Sequence, residues 1–427
     1  MATPLRLALI GLGTVGSGVL RILHDTAGRD ARLGTVQVVG VAVRDLERPR
    51  DLPVLPPLTD DPFSLVRDPE VDVVAEVMGG VDLPYRLLTA ALKAGKHVIT
   101  ANKALLARHG QELFALARAQ NRQLRYEAAV GGGIPLIQPL EQCLGANRIH
   151  SVTAIINGTT NYILTQMATR QMAYTQALAE AQALGYAEAD PAADVEGADA
   201  QEKLTILASI AFRIPLPPLE AIYREGITAI DLPDVINAQQ LGFGIKLLAL
   251  AERCPDGRLD LRVHPTLVPV DHPLSRVDGA YNAVLIEAEP VGSIMFFGPG
   301  AGGGPTASAV ISDLINILAD RPAGPTPADF AQPPPGYLSI DEVQTRFYIR
   351  LRALDRPGVV GHIGQIFGRH SVSLASIVQK NPRGAAAELV IITHDVAEAR
   401  LRAALAELRA SSEVQDFCTA IRVLPEG

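Results

Sequence analysis

The chain carries six lysines against 32 arginines. Each lysine therefore draws notice, because an ammonium is a cation whose pKa a protein can shift for proton transfer, whereas a guanidinium stays charged. Lys103 closes the run Thr100-Ala101-Asn102-Lys103 directly after a strand-like stretch, at the edge of any crevice the strands form. Lys203 stands four residues after Asp199 in a segment that begins Asp194-Val195-Glu196-Gly197-Ala198-Asp199. On a helix that spacing puts carboxylate and ammonium on one face, although such pairs are also common on solvated helices. Upstream, Gly185-Tyr186-Ala187-Glu188-Ala189-Asp190-Pro191 is a helix stop followed by an acidic loop. It is either a capped helix end or a carboxylate cluster able to hold the amino group of a small substrate beside a proton-donating Lys203.

A second group of residues suits phosphate. Gly11-Leu12-Gly13-Thr14-Val15-Gly16 follows the apolar run Leu5 to Ile10 and opens a helical stretch through Leu23. In that setting Gly11 permits a tight turn, Gly13 lets the backbone approach a pyrophosphate, and Gly16 allows helix to pack on sheet. Where an acid for a ribose hydroxyl is usual, the chain has Arg44 and then Asp45. Arg44 suits a 2′-phosphate and Asp45 a ribose hydroxyl, and the two together also read as a solvated pair at a strand end. Glu127 precedes a flexible turn, Val130-Gly131-Gly132-Gly133-Ile134, whose carbonyls suit a hard, monovalent cation better than zinc. Asn157-Gly158-Thr159-Thr160-Asn161 reads first as a glycine turn with a helix cap. The Gly298 to Gly304 loop either closes over a ligand or serves as a long connector.

These residues need elements to position them. Strands are expected at Val36 to Val43, Val71 to Val77 and His97 to Thr100, with a helix from Leu83 to Ala94 that stops near Gly95. Strands alternating with helices predict a Rossmann-like, doubly wound parallel sheet with its ligand crevice at the carboxyl ends of the strands, over residues 1–130. A helix over 305–320 returns to it. Residues 131–320 are expected to form an α+β domain, the one that would hold the substrate and the dimer contact if the chain is an enzyme: strand Ser151 to Ile156, helices Tyr162 to Thr169, Tyr174 to Leu184 and Ala200 to Phe212, then strands between Val263 and Phe297. A proline-rich linker occupies 321–345. From 346 to 427 the order strand, helix, strand, strand, helix, strand is the ferredoxin-like βαββαβ arrangement.

Composition excludes several classes of function. With 427 residues, 48% hydrophobic and 20% charged, the chain is globular, and its net charge of -8 offers no basic field for nucleic acid or acidic membrane. Cys143, Cys254 and Cys418 lack any CxxC spacing, which fits a reducing compartment. The apolar stretch from Leu5 to Ile22 is broken by Arg6 and four glycines with no small-residue cleavage site after it, so the cytoplasm is expected rather than export.

Taken together, TANKALLARHG, YEAAVGGGIP, NGTTNYIL, LGYAEADPAADVEGADAQEKL and FGPGAGGGPTASAV, with the stretch around Asp355-Arg356-Pro357-Gly358-Val359, resemble homoserine dehydrogenases of the longer form that ends in an ACT domain. That resemblance implies NAD(P)-dependent interconversion of homoserine and aspartate 4-semialdehyde on the branch to threonine, methionine and isoleucine. It implies Lys203 as proton donor, with Lys103 beside substrate and nicotinamide. Gly158, Thr159, Gly185, Glu188, Asp194 and Asp199 would hold the substrate or orient the lysine. The cofactor would meet Gly11, Gly13, Thr14, Val15, Gly16, Arg44, Lys103, Gly300 and Gly302, with NADP slightly ahead of NAD. Glu127 with the backbone oxygens of Val130, Gly132 and Ile134 would hold sodium. A homodimer or homotetramer is implied, with threonine as effector at the Asp355 to Gly361 turn. The alternatives are another ACT-linked dehydrogenase, which would need a histidine with an acidic partner and an arginine clamp, or a non-catalytic sensor of nucleotide and amino acid. The presence of both lysines disfavours the sensor.

Overall fold

A computed structural model of the chain describes residues 4–330, 336–383 and 386–425. They divide into two compact units that interleave along the sequence. The first holds the chain up to Ile156, the segment Asp199–Ile222, and the stretch from Tyr281 to the proline-rich linker; the second holds Asn157–Ala198, Tyr223–Ala280 and the chain from Gly336 onward. The segment expected as one catalytic domain, 131–320, is thus shared between the two.

The first unit is built on six parallel strands in the order Leu58–Thr59, Val36–Ala42, Leu5–Ile10, Val73–Glu76, His97–Thr100, Leu124–Arg125. Leu5–Ile10 lies between the strands that follow it on either side, so the order reverses there, and the glycine turn leaves its carboxyl end at that switch point. The strands read as unbroken apolar runs because both faces are covered. Leu7, Leu9, Val41, Val73 and Ile99 pack with Val310, Ile311 and Leu314 of the returning helix Gly303–Leu318. That helix lies against Thr14–His24 at glycine distance: a Cβ on Gly18 would stand 2.5 Å from the Gly303 carbonyl oxygen. Three antiparallel strands, Arg148–Ile155, Tyr281–Glu289 and Gly292–Pro299, complete the sheet structure of this unit, together with the helix Ala198–Phe212.

In the second unit a long hairpin, Phe243–Arg253 with Leu259–Pro269, continues directly into the C-terminal sheet. Leu259–Pro269 pairs in parallel with Val414–Val423, which is followed by Gln344–Leu354, Ala386–Thr393 and Leu374–Arg383. With the helices Val359–Arg369 and Glu398–Ala410 this is the βαββαβ order read from the sequence. Phe347, Ile349, Leu351, Ile363, Phe367, Leu401 and Leu405 form its core. The ACT-like module is therefore hydrogen-bonded into the hairpin beside it rather than hung on a linker. The strand Phe243–Arg253 lies outside the expected strand region. Its Lys-Leu-Leu-Ala-Leu-Ala-Glu composition favours helix, and eleven residues of register with Leu259–Pro269 override that preference.

Candidate active site

The glycine turn meets the steric demands of a dinucleotide site. Gly11 has φ +106°, and a Cβ there would press on the backbone of Val77 at 3.0 Å. A Cβ on Gly16 would stand 2.2 Å from the Gly11 carbonyl oxygen, while a Cβ on Gly13 would meet nothing within 4 Å, which leaves the space a phosphate needs. Gly13 caps the helix Thr14–His24 without a side-chain bond, and no acid sits in the first turn, so the amide end is open to an anion. Thr14 and Val15 begin that helix. The returning helix starts against the same turn: a Cβ on Gly303 would lie 2.9 Å from Thr14 Cγ2. At the end of the second strand Asp45 accepts hydrogen bonds from the Glu47 and Arg48 amides (3.0 and 3.2 Å). The exposed Arg44 guanidinium makes no bond among the described residues.

Lys103 is the first residue of the helix Lys103–Ala119, a position where a cation opposes the helix dipole. Its setting is fixed from below. Asn102 caps the helix by accepting from the Leu105 amide at 3.0 Å and donates to the Gly80 carbonyl at 2.7 Å. Thr100 Oγ1 accepts from the Asn102 amide and donates to Glu76 Oε2 at 2.6 Å. Glu76 is fully buried and also accepts from the Met78 and Gly79 amides, so it ties the carboxyl ends of two strands together. Burial pushes its pKa up against these hydrogen bonds, which pull it down. Glu76 was not among the residues expected from the sequence. Its signal was an acid ending the apolar run Val71 to Val77.

Across from Lys103 stands Asp199, on the helix Ala198–Phe212, with Oδ1 3.5 Å from Lys103 Nζ. Asp199 Oδ2 accepts from Lys203 Nζ at 2.7 Å, the i, i+4 pair that the spacing predicted. Lys203 Nζ donates a second bond to the Ile156 carbonyl at 2.8 Å. An ammonium has three donors, so one N–H of Lys203 is uncommitted among the described residues. Its side chain is 12% exposed, while that of Lys103 is 39% exposed. One carboxylate therefore positions two ammonium groups that both reach solvent. Arg108 bonding Glu202 at 2.6 Å holds the two helices in this register.

The remaining substrate candidates lie in the second unit. Asn157 caps the helix Gly158–Arg170 through the Thr160 amide and donates to Asp194 Oδ1 at 2.7 Å. Thr159 Oγ1 donates to the Tyr186 carbonyl at 2.6 Å, which ties the acidic loop to the start of that helix. Gly158 leaves no room for a side chain, since a Cβ would meet the Ala280 carbonyl oxygen at 2.8 Å. Gly185 has φ +77° and ends the helix Tyr174–Ala183, and Glu188 is exposed.

In the first unit, the Glu127 carboxylate accepts from the Leu136, Ile137 and Gln138 amides at 2.6 to 2.9 Å. It thereby shapes the turn at Gly131 and Gly132, both at positive φ. The carbonyls of Val130, Gly132 and Ile134 accept no hydrogen bond among the described residues. This turn lies on the second glycine loop, with the Gly133 amide bonded to the Pro299 carbonyl at 3.2 Å and Gly132 against the Gly300 carbonyl. No group of three or more His, Cys, Asp or Glu suited to a metal ion occurs among the described residues. Nor is any described helix long and apolar enough to cross a membrane.

A poised ammonium at the carboxyl end of a dinucleotide-binding sheet, with none of the three free cysteines in a nucleophile turn, suits a nicotinamide-dependent oxidoreductase acting on a CH–OH group. Comparison with known proteins narrows that class. Residues 11–127 match the family described as homoserine dehydrogenase, NAD binding domain; residues 135–315 match homoserine dehydrogenase; residues 347–413 match the ACT domain. A homoserine dehydrogenase of Synechocystis sp. is 46% identical, with 98% of this chain and 99% of the relative covered. The crystal structure of a homoserine dehydrogenase from Thiobacillus denitrificans superposes with a TM-score of 0.92 at 42% identity, covering 99% of both chains. A hyperthermophilic archaeal homoserine dehydrogenase in complex with NADPH gives 0.62 at 26% identity over 75% of this chain and all of that one. The chain belongs to the homoserine dehydrogenase family.

Proposed function

We propose that the chain interconverts L-homoserine and L-aspartate 4-semialdehyde, in the cytoplasm, on the route to threonine, methionine and isoleucine, with Lys203 as the group that moves the proton. The observation that carries this reading is the uncommitted N–H of Lys203, held in place by Asp199 and the Ile156 carbonyl. Bound nicotinamide supplies or accepts the hydride. As the aldehyde carbon is reduced, negative charge grows on its oxygen, and Lys203 delivers the proton there. Lys103 adds positive field and fixes orientation, and Asp199 keeps both ammonium groups aimed. Gly158, Thr159, Gly185, Glu188 and Asp194 are assigned to the substrate, the acids by the affinity of carboxylates for its amino group.

The cradle around Gly13 and the amide end of Thr14–His24 fit the cofactor's pyrophosphate, with Gly300 and Gly302 closing on it. NADP is favoured over NAD, because one oxygen of Asp45 is taken by two backbone amides while the exposed Arg44 guanidinium has no bond among the described residues and suits a 2′-phosphate. A sodium ion is assigned to the carbonyls of Val130, Gly132 and Ile134, the hard oxygen donors left unbonded in the turn, with Glu127 holding that turn and adding negative charge. The edge strand Gly292–Pro299 exposes Met295 and Phe297, the latter stacked on Tyr281 at 5.2 Å, an apolar face that a second copy would cover in a dimer or tetramer. Threonine is assigned to the turn leading into Val359–Arg369, where a Cβ on Gly358 (φ +94°) or on Gly361 in the first helical turn would meet nothing within 4 Å. The test is NADPH-dependent reduction of aspartate 4-semialdehyde by the purified protein, run with NADH in parallel and with threonine added. Turnover with NADPH ahead of NADH, lowered by threonine, is expected. Absence of turnover with either cofactor contradicts the reading.

A further inference from the structure

Asn282 lies on the strand Tyr281–Glu289, directly opposite Gly298, and is completely buried. Neither its amide nitrogen nor its amide oxygen has a hydrogen-bond partner among the described residues. A side-chain amide carries two donors and an acceptor oxygen, and burying them unpaired destabilises the fold compared with a leucine of the same shape. The amide lies against Gly300. A Cβ on Gly300 would stand 2.0 Å from Asn282 Nδ2 and 2.4 Å from Oδ1, so the amide lies flat on the Gly300 α-carbon. On its other side Gly300 meets the turn at Gly132, whose Cβ would lie 2.3 Å from the Gly300 carbonyl oxygen. Three residues further on, Gly303 rests against Thr14 of the dinucleotide turn. The segment Gly300–Gly302 is thus clamped between an unsatisfied amide and the Gly131–Gly133 turn, and it leads straight to the phosphate site.

We infer that Asn282 is a positioning residue for the cofactor: when a dinucleotide lies on the glycine turn, the Asn282 amide donates to and accepts from the backbone of Gly300–Gly302 and holds that segment against it. The inference rests on the reading of Gly300–Gly302 as a cofactor-contacting loop. It explains why a polar group is kept where an apolar one would stabilise the empty protein, since its partners are presented only in the bound state. It also explains the glycine at 300, where any side chain would displace the amide.

The experiment compares Asn282→Leu, Asn282→Ser and Ala301→Asp with the parent chain, reading NADPH affinity by fluorescence titration, KM and kcat, and melting temperature with and without NADPH. Asn282→Leu is expected to melt above the parent without cofactor, yet to bind NADPH on the order of tenfold more weakly. Its KM for NADPH rises in step, kcat at saturating NADPH changes little, and the rise in melting temperature on adding NADPH shrinks. Asn282→Ser, which keeps a hydroxyl, recovers part of the affinity. Ala301→Asp, placing a carboxylate on the loop itself, weakens NADPH binding through repulsion of the phosphates. If Ala301→Asp binds NADPH normally, the loop reading falls and the inference with it. If Ala301→Asp weakens binding while Asn282→Leu does not, the loop reading stands and the role of Asn282 is overturned. A lower melting temperature for cofactor-free Asn282→Leu also overturns it, because the amide is then satisfied in the empty protein.

Discussion

Two assemblies of aspartate and cation in this molecule use the same chemistry to opposite ends. In the first unit Asp199 stands between Lys103 and Lys203, with one lysine 39% and the other 12% exposed and a donor of Lys203 unspent among the described residues. In the second unit Asp234, fully buried on the helix Leu232–Gln240, takes Arg350 Nε at 2.6 Å and Nη2 at 3.0 Å, the Tyr348 hydroxyl at 3.2 Å and the Asp231 amide at 3.1 Å. Arg350 is 2% exposed and also faces Asp231 and Glu388. Burial opposes its charge, yet the hydrogen bonds and charge of Asp234 outweigh that and hold its pKa above the ordinary value. In the second cluster the central Arg350–Asp234 pair is buried and multiply bonded, with Asp231 exposed at its rim, so these ions pin the C-terminal sheet to the helix beside it. The catalytic role proposed for the first cluster rests on its keeping a committed geometry and an uncommitted donor together.

The comparison breaks most visibly if lysine is removed from the open cluster. Lys203→Ala should lower kcat by about 10²–10⁴-fold in steady-state assays while leaving the melting temperature near that of the parent. Arg350→Ala should do the reverse, destabilising the protein by about 3–5 kcal/mol in urea unfolding, because a buried carboxylate loses its partner. Restoring apolar packing with Arg350→Met and Asp234→Leu together should recover most of that loss. If Arg350→Ala unfolds like the parent, the buried cluster is not structural.

A third contrast is a buried acid in the first unit that forms no ion pair among the described residues, although the charge of Arg125 acts on it. Glu141 accepts from the Tyr126 hydroxyl at 2.6 Å, and burial raises its pKa from 4.5 to about 7. A raised folded pKa means that the protonated form contributes stability, fully present below about pH 4.5 and lost as pH rises through about 7. Glu141→Gln should therefore stabilise the protein at pH 8 by roughly 1–3 kcal/mol and flatten the fall in melting temperature between pH 5 and 8. An unchanged pH profile would show Glu141 to be ionised at no penalty. The smallest expected effect is Arg44→Ala, which should weaken NADPH by about tenfold and leave NADH nearly unchanged. Equal losses would remove Arg44 from the phosphate.

What the sequence revealed follows the range of its signals. The glycine turn, the Asp199 and Lys203 spacing, and the strand and helix order of the C-terminal module are local patterns, and local periodicity reports them directly. The Arg350 and Asp234 pair spans 116 residues, so no spacing announces it. The interleaving of the two units at Ile156 and Asp199 is invisible for the same reason. Phe243–Arg253 reads as a helix former until its partner strand is in place. Glu76 and Asn282 are polar residues in largely apolar strands, meaningful only once the fold shows them buried.

The central claim, that Lys203 acts on the chemistry rather than on binding, is tested most directly by single-turnover oxidation of NADPH with saturating aspartate 4-semialdehyde, parent against Lys203→Ala. Cofactor and substrate dissociation constants should be measured on the same samples. The account predicts a hydride-transfer rate lowered by about 10²-fold or more with both dissociation constants close to the parent's. A rate within a few-fold of the parent, or a loss explained wholly by weaker binding, would contradict it.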